Sequence, residues 1–359
     1  MNAKPTTIEE IQAITREATC LLPRGGGSKP ALSAPLDGVQ ALEMSALSGI
    51  VEYEPDELTF TALAGTRLAD VNQMLAEHNQ YLPFDPPLSE RGATLGGTVA
   101  AGLSGSGRYR YGGVRDFLLG VRFVDSQGQV VRGGGKVVKN AAGFDLPKLM
   151  VGSLGRLGIL VELSFKVFPR PEVYATLRVV CEDLATALDV LQRAESARLA
   201  LDAIDLEPSA DGYVLWVRMG GMAKALEARL QRLKAFLNSP QILRGPEDER
   251  VWQGARELTW VPGGWTLLKV PLTPGRIPAL ETSLQNKPVL RRYFSAGQVA
   301  WLALEKEPQA LKGVLEEHKL SALVILGPPG APRLGEYPGR SFYRRVKAAL
   351  DPVDRFVEA

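Results

Sequence analysis

Hydrophobic and polar positions change period several times along the chain, and each change predicts an element. Ile8 to Thr19 reads as a short helix that runs into Cys20-Leu21-Leu22, a short strand. Leu58 to Ala64, LTFTALA, predicts a strand ended by Gly65. Thr66 is placed to cap the helix that follows, TRLADVNQMLAEHNQ, in which Leu68, Val71, Met74 and Leu75 share one face. Pro83 to Leu88, PFDPPL, breaks that pattern. FLLGVRFVDSQGQVVRGG predicts a hairpin, two apolar strands around Ser126-Gln127-Gly128. Asp145 is placed to cap a short helix holding Leu146, Leu149 and Met150. Ile159 to Val167 is a strand, and Pro169-Arg170-Pro171 marks a boundary.

Beyond Pro171 glycine thins out and strands alternate with helices. Tyr174 to Val180 predicts a strand, and a helix capped near Asp183 carries Leu184, Ala187, Leu188 and Leu191 on one face. Strands follow at Leu201 to Leu206 and Tyr213 to Met219, then a helix with Met222, Leu226, Leu230, Leu233 and Leu237 at helical spacing. After a linker from Asn238 to Trp260 the order recurs. A strand at Thr266 to Val270 precedes a helix from about Pro274, strands at Val289 to Phe294 and Gln298 to Leu304, a helix at Pro308 to Leu320 and a strand at Ala322 to Leu326. Two β-α-β-β-α halves forming one antiparallel sheet with helices on a face is the architecture this order predicts. SFYRRVKAALDP predicts a final amphipathic helix.

Composition narrows the function classes. A chain of 359 residues suits two or three domains. With 42 Lys and Arg against 40 Asp and Glu, it lacks the basic excess of a nucleic-acid binder. Cys20 and Cys181 form no zinc or iron–sulfur spacing, and are expected to be buried thiols. His78 and His318 are the only histidines, too few for a histidine-rich metal or proton-transfer site. MNAKPTTIEEIQ carries no apolar signal core, and no run is apolar enough to span a membrane. The expected compartment is the cytoplasm, with at most peripheral contact at the inner face of the cell membrane.

Glycine clusters carry the candidate chemistry. RGGGSK, from Arg24 to Lys29, offers consecutive N–H groups without side chains to block an anion, plus a hydroxyl at Ser28 and a cation at Lys29. Alone it also reads as a surface turn. Gly92-Ala93-Thr94-Leu95-Gly96-Gly97 is a second cluster, Gly102-Leu103-Ser104-Gly105-Ser106-Gly107 a third, and Gly152-Ser153-Leu154-Gly155 a fourth. Several such loops in one half-chain suit a long ligand held against backbone, and a dinucleotide meets that demand. None has the strand-G-x-G-x-x-G-helix form, and no Walker A lysine motif is present.

RGGGSK, LPFDPPL, GATLGGTVAAGLSGSGRYRYGGVRDFLLGVRFV and KVVKNAAGFDLPKLMVGSLGRLGILVELSFKVFPRP occur in this order. Together they resemble the FAD-binding domain of the vanillyl-alcohol oxidase, or PCMH, superfamily. Within it they are similar to the FAD-binding E-type subunits of bacterial glycolate oxidases. The most specific stretch runs from Lys139-Asn140-Ala141-Ala142-Gly143-Phe144-Asp145-Leu146 to Gly158. The resemblance implies an α+β fold: a PCMH-type FAD-binding domain of two α+β subdomains over residues 1–171, an α+β cap with an antiparallel sheet over 172–335, and a C-terminal helix and tail over 336–359. It implies that Arg24, Gly25, Gly26, Gly27, Ser28 and Lys29 wrap a pyrophosphate. Pro86 of the Pro-rich run joins the site, and Gly92, Thr94, Leu95, Gly96, Gly97, Gly102 and Ser104 line the other side of FAD. Tyr111, Gly112 and Asp116 match a shared segment, with Asp116 either a ligand or a brace of its own loop. Gly152, Gly158 and Ile159 match the strand passing the adenine. The first glycine loop lacks the histidine to which some members attach FAD, so non-covalent FAD is expected.

Oxidising a 2-hydroxy acid requires a flavin for hydride, a base for the hydroxyl proton and a cation for the carboxylate. Arg108, Arg110, Arg115 and Arg291-Arg292-Tyr293 are candidate anion grips, with a solvated basic face as the other reading. No base is assigned. The cap lacks the histidine motif of related dehydrogenases, and LDPVDRFVEA lacks the asparagine-proline-glycine turn that closes the family. The resemblance therefore implies a flavoprotein subunit that oxidises glycolate to glyoxylate together with a larger FAD-binding catalytic subunit and an iron–sulfur subunit. The chain holds no cluster ligands and no metal site of its own. The alternatives are a self-sufficient FAD-dependent 2-hydroxy-acid dehydrogenase and a structural subunit without FAD.

Overall fold

A computed structural model describes residues 3–33, 37–135, 144–237, 240–328 and 330–358. Helix α1 (Ile8–Glu17) starts where Thr7 accepts a hydrogen bond from Glu10 N. Strand β1 (Leu21–Arg24), helix α2 (Pro30–Ser33) and strand β2 (Gln40–Glu43) follow, and β1 pairs with β2 in parallel. Strands β3 (Ile50–Glu54) and β4 (Thr59–Leu63), helix α3 (Leu68–Glu77) and strand β5 (Gln80–Tyr81) precede the Pro-rich loop. Short helices α4 (Leu95–Ala101), α5 (Arg108–Tyr111) and α6 (Val114–Phe117) separate the glycine clusters. The expected hairpin is β6 (Leu118–Val124) with β7 (Val130–Gly134). Helix α7 (Leu146–Met150) is capped by Asp145, as expected, and leads to β8 (Ile159–Lys166) and β9 (Phe168–Pro169). The order β3-β4-β8-β6-β7 makes a five-stranded antiparallel sheet. Phe60, Phe84, Phe117 and Phe165 pack beneath it with no more than 1% exposure. Burying each such ring contributes about 1.5–3 kcal/mol.

The second half carries β10 (Val173–Cys181), α8 (Leu184–Ser196), β11 (Ala203–Ser209), β12 (Gly212–Gly221), α9 (Ala223–Lys234), β13 (Gln241–Arg244) and α10 (Pro246–Arg256). Strand β14 (Thr266–Pro271), helix α11 (Ile277–Leu284), strands β15 (Val289–Phe294) and β16 (Val299–Leu304), helix α12 (Lys312–Glu317) and strands β17 (Ser321–Leu326) and β18 (Arg333–Gly335) complete it. Among the described residues these strands form one nine-stranded antiparallel sheet, β13-β10-β12-β11-β15-β16-β14-β17-β18. The two halves are mirror readings of one order, and equivalent strands β11 and β15 meet at the centre, where Leu206 faces Tyr293.

Strand β16, VAWLAL, is buried at every position. Ala300, Leu302 and Leu304 join the core under the helices, while Val299, Trp301 and Ala303 join the core of the first half. The period of two thus feeds two cores from one strand. Helix α13 (Arg340–Leu350) lays Tyr343, Val346 and Leu350 on the first-half core. Beyond it Phe356 returns to β1, where Leu21 N donates to Arg355 O at 2.8 Å.

Two expectations need correction. The segment 238–260 is not a bare linker, because β13 and α10 lie in it. Helix α10 is polar over most of its length and buries only Asp248, Trp252 and Ala255, so its apolar stripe is too thin to register as a helical period. Thr66 does not cap α3. Its hydroxyl instead bonds Gly49 and the Leu63 carbonyl, and the N-cap position falls to Arg67.

Candidate functional site

Strand β1 delivers the first glycine loop against the second. A Cβ on Gly25 would stand 2.4 Å from Thr94 Oγ1, and one on Gly26 would stand 1.8 Å from the Gly92 carbonyl oxygen. Glycine is required here by the approach of two backbones, with Gly27 at φ +72° and Gly92 at φ +83° closing the turns. Thr94 accepts from Gly97 N at 3.2 Å and so opens α4. Gly25 to Lys29, Thr94 and Gly97 line one recess together with Ala101 and Leu154, and Arg24 lies beside Gly27. Leu95 is fully buried and Gly96 packs on Ala64, so these two shape the recess from behind.

Lys29 is 6% exposed. Its ammonium donates to Ser28 Oγ at 3.0 Å and has no ion pair among the described residues. Burial pulls its pKa down to about 8, against the opposing pull of the Glu257 carboxylate. A buried cation with one hydroxyl partner is short of an anion. The buried hydroxyls of Thr98, in α4, and Ser153, beside Gly152, find no partner among the described residues. A buried ammonium at a glycine loop fits the pyrophosphate of FAD.

The recess continues past Ala101 and Leu154 into a cavity of 220 Å³. Its floor is Gly102 (φ +63°) against Gly152 (φ +81°). Its far wall comes from the nine-stranded sheet and includes Lys269, Leu323 and Arg333. Lys269 donates to the Gly102 carbonyl at 3.4 Å, and burial, with Arg108 pushing the same way, lowers its pKa to about 8. The sequence reading passed over Lys269, although its signal is visible: a lone lysine inside the apolar run TLLKVP.

Other expected residues brace the site rather than face it. Val114 N donates to Ser104 Oγ at 2.9 Å, and Gly113 N donates to Asp116 Oδ2 at 2.8 Å. Asp116 therefore fixes its own loop, at Gly112 (φ +85°). Tyr111 donates to Asp202 at 2.8 Å, and Ser106 bonds the buried Asp205, so the third glycine loop is fastened to the nine-stranded sheet. Burial raises the Asp205 pKa to about 7. Pro86 lines a separate cavity of 350 Å³ with Tyr111, Tyr174, Arg218 and Trp252. Gly158 lies against Phe123, and Ile159 is fully buried in the core beside β1, so neither lines the recess. Lys139, Asn140, Ala141, Ala142 and Gly143 lie outside the described residues.

The other candidate anion grips are committed elsewhere or exposed. Arg291 grips Glu281 through Nε and Nη2 at 2.8 and 2.6 Å, and Tyr293 donates to the same carboxylate. Arg292 pairs with Glu207, and Arg110 with Asp202 at 2.8 Å. Arg115 is exposed. His318 bonds Ser283 at 2.8 Å at the end of α12, and His78 is exposed at the end of α3. Cys181 is buried as expected and Cys20 is half-buried. Among the described residues no cluster of His, Cys, Asp and Glu can hold a metal, and no helix is long and apolar enough to cross a membrane.

A glycine-lined recess with a buried lysine is set against the nine-stranded antiparallel sheet, and residues 2–134 match the family model described as FAD binding domain. The residues 2–134 thus form an FAD-binding domain, and the fold is α+β. Glycolate oxidase subunit GlcE of Escherichia coli (strain K12) is 38% identical over 226 residues, 63% of this chain and 63% of that protein. Glycolate oxidase subunit GlcD of Bacillus subtilis (strain 168) is 27% identical, over 65% of this chain and 54% of that protein. D-2-hydroxyglutarate dehydrogenase of Xanthomonas citri pv. viticola is 29% identical, over 56% and 44%. The matches thus span between 44% and 63% of these relatives' lengths. A solved structure of alkyldihydroxyacetonephosphate synthase superposes with a TM-score of 0.73 over 98% of this chain and 74% of that one, at 16% identity, a likeness of fold alone.

Proposed function

We propose that this chain is the FAD-binding subunit of a glycolate oxidase or dehydrogenase complex, oxidising glycolate to glyoxylate with partner subunits. The observation that carries it is Lys29, a buried ammonium without a close ion pair among the described residues, where two glycine loops meet. In this reading residues 1–171 hold the cofactor, 172–335 form the cap and 336–359 close the chain onto β1. FAD, when bound, supplies the acceptor for the hydride of the substrate α-carbon. Lys29, Ser28 and the Gly25–Gly27 amides hold its pyrophosphate. No histidine stands in the first loop, so the cofactor is held without a covalent bond. The substrate base belongs to a larger FAD-binding partner subunit, because neither histidine lines the recess and the Arg291–Glu281 and Arg292–Glu207 pairs are formed away from it. Electrons leave through an iron–sulfur partner, and membrane contact is at most peripheral.

A second reading, a self-sufficient FAD-dependent 2-hydroxy-acid dehydrogenase, is favoured by Lys269, whose buried ammonium faces a cavity continuous with the recess. Anaerobic mixing with glycolate or D-lactate separates the two. The FAD-loaded chain alone should keep its visible absorbance, and the complex co-expressed with its partners should bleach. Bleaching of the isolated chain at a catalytic rate would establish the second reading instead.

A further inference from the structure

The Pro-rich loop and the second glycine loop are held from the second half of the chain. Arg256 pairs with Asp85 at 3.2 Å, and Leu88 N donates to the Arg256 carbonyl at 3.1 Å. Gln253 donates to Glu90 at 3.0 Å. Ser89 Oγ and Glu90 N donate to Glu257 Oε1 at 2.9 and 3.3 Å. Asp85 and Leu88 sit at φ +53° and +64°, conformations that non-glycine residues keep only when their surroundings impose them. All these bonds come from the last turn of α10 and the residue after it.

One of these groups is unfinished. Glu257 is 3% exposed, and its Oε2 is buried with no partner among the described residues. A buried carboxylate oxygen left bare marks a donor that the surrounding chain does not supply. The same carboxylate acts electrostatically on the Lys29 ammonium across the loop. The geometric link is the second glycine loop: Glu257 holds Ser89 and Glu90, just before Gly92, and the Gly92 carbonyl meets Gly26 in the loop that carries Lys29. Inorganic phosphate would satisfy Lys29 and be repelled by Glu257. A ligand carrying phosphate oxygens and, a few bonds away, hydroxyl or ring N–H groups satisfies both.

We propose that Glu257 is a dinucleotide-binding residue: its Oε2 accepts a hydrogen bond from a hydroxyl or N–H group of FAD whose pyrophosphate lies at Lys29. The cofactor then ties the α10 segment of the second half to the glycine loops of the first. This rests on the FAD reading above and extends it to a residue outside the matched domain 2–134.

The test is titration of the whole apo chain with FAD, riboflavin and ADP, comparing wild type, Glu257→Gln and Arg244→Ala. Glutamine keeps the shape and the Ser89 bond but turns an amide donor toward the ligand's donor. Glu257→Gln should weaken FAD at least tenfold, with the same loss for riboflavin or for ADP according to which half of the cofactor is held. Arg244→Ala, which only releases the exposed Glu227 on α9, should stay within threefold of wild type. Should Glu257→Gln fail to fold, amide exchange on the wild-type chain decides: FAD should slow exchange in both 25–29 and 246–258, and protection confined to the glycine loops overturns the proposal. Wild-type FAD binding that Glu257→Gln leaves within threefold overturns this inference alone. A wild-type chain that binds no FAD overturns the cofactor reading and this inference with it.

Discussion

Replacing Lys29 by methionine keeps the stem and removes the charge, and the structure predicts opposite effects on the empty and the loaded protein. Burial lowers the Lys29 pKa from 10.5 to about 8, a destabilisation of about 3 kcal/mol for the charged form. In the unfolded chain the lysine keeps its proton up to its ordinary pKa, so between about pH 8 and 10.5 the unfolded state binds more protons than the folded state. The stability of the empty protein therefore rises with pH across that window, and the full penalty is present below it. Lys29→Met removes the penalty, so the empty variant should be more stable than wild type at pH 7, by up to about 3 kcal/mol, with no rise above pH 8. FAD affinity moves the other way. Losing a charge-assisted contact to pyrophosphate costs about 1.5–3 kcal/mol, roughly 10- to 150-fold in Kd at pH 7. Wild-type affinity should weaken above pH 8, as the empty site loses its proton, while the variant's stays flat. Urea unfolding of the empty proteins and fluorescence titration with FAD from pH 6.5 to 9.5 measure both. A variant that binds FAD within twofold of wild type, with the same pH profile, refutes the placement of the pyrophosphate at Lys29.

Three further predictions concern the frame of the site. Gly26→Ala forces a Cβ to within 1.8 Å of the Gly92 carbonyl, so the two loops must separate; thermal unfolding should show a loss of about 1–3 kcal/mol, and the purified variant should carry little flavin. Glu281→Gln breaks the cluster with Arg291, Tyr293 and Tyr213, which should cost about 3–5 kcal/mol in denaturant unfolding and leave the Kd for FAD unchanged. Asp205, raised from 3.8 to about 7 by burial, binds its proton more tightly folded than unfolded; wild-type Tm should therefore fall as pH rises from about 4 to about 7 and level off above, and Asp205→Asn, which preserves the Ser106 and Ser295 contacts, should remove that fall.

How far the sequence could be read differs between the halves for a physical reason. Capping residues and periods announce themselves locally. Asp145 and Asp183 both cap the helices they were expected to cap, and the β6–β7 hairpin lies around Ser126-Gln127-Gly128. The repeated β-α-β-β-α order was legible from alternating apolar runs. Its fourth strand in the first repeat, β13, was not, because it is short and only Leu243 of it is buried. Helix α10 was missed with it, and so were Arg256 and Glu257, which hold the Pro-rich loop. Their roles arise from contacts more than 160 positions away in sequence, which no local pattern encodes. The glycine loops were legible as a group, since several clusters in one half-chain ask for a common cause. Which glycines face the recess was not: Gly25 and Gly97 line it while Gly96 packs on Ala64, a difference set by the direction of each Cα in the fold. The orphan Glu257 oxygen became visible only once both halves were in contact, whereas Lys269 stands out in the sequence as a lone lysine inside TLLKVP.

The measurement that bears most directly on the central claim is the visible absorption spectrum of the purified chain before and after acid precipitation. A flavin spectrum, with the chromophore leaving in the acid supernatant and identified as FAD, is the predicted result. A colourless protein that also takes up no added FAD would contradict the assignment of the glycine recess as a cofactor site.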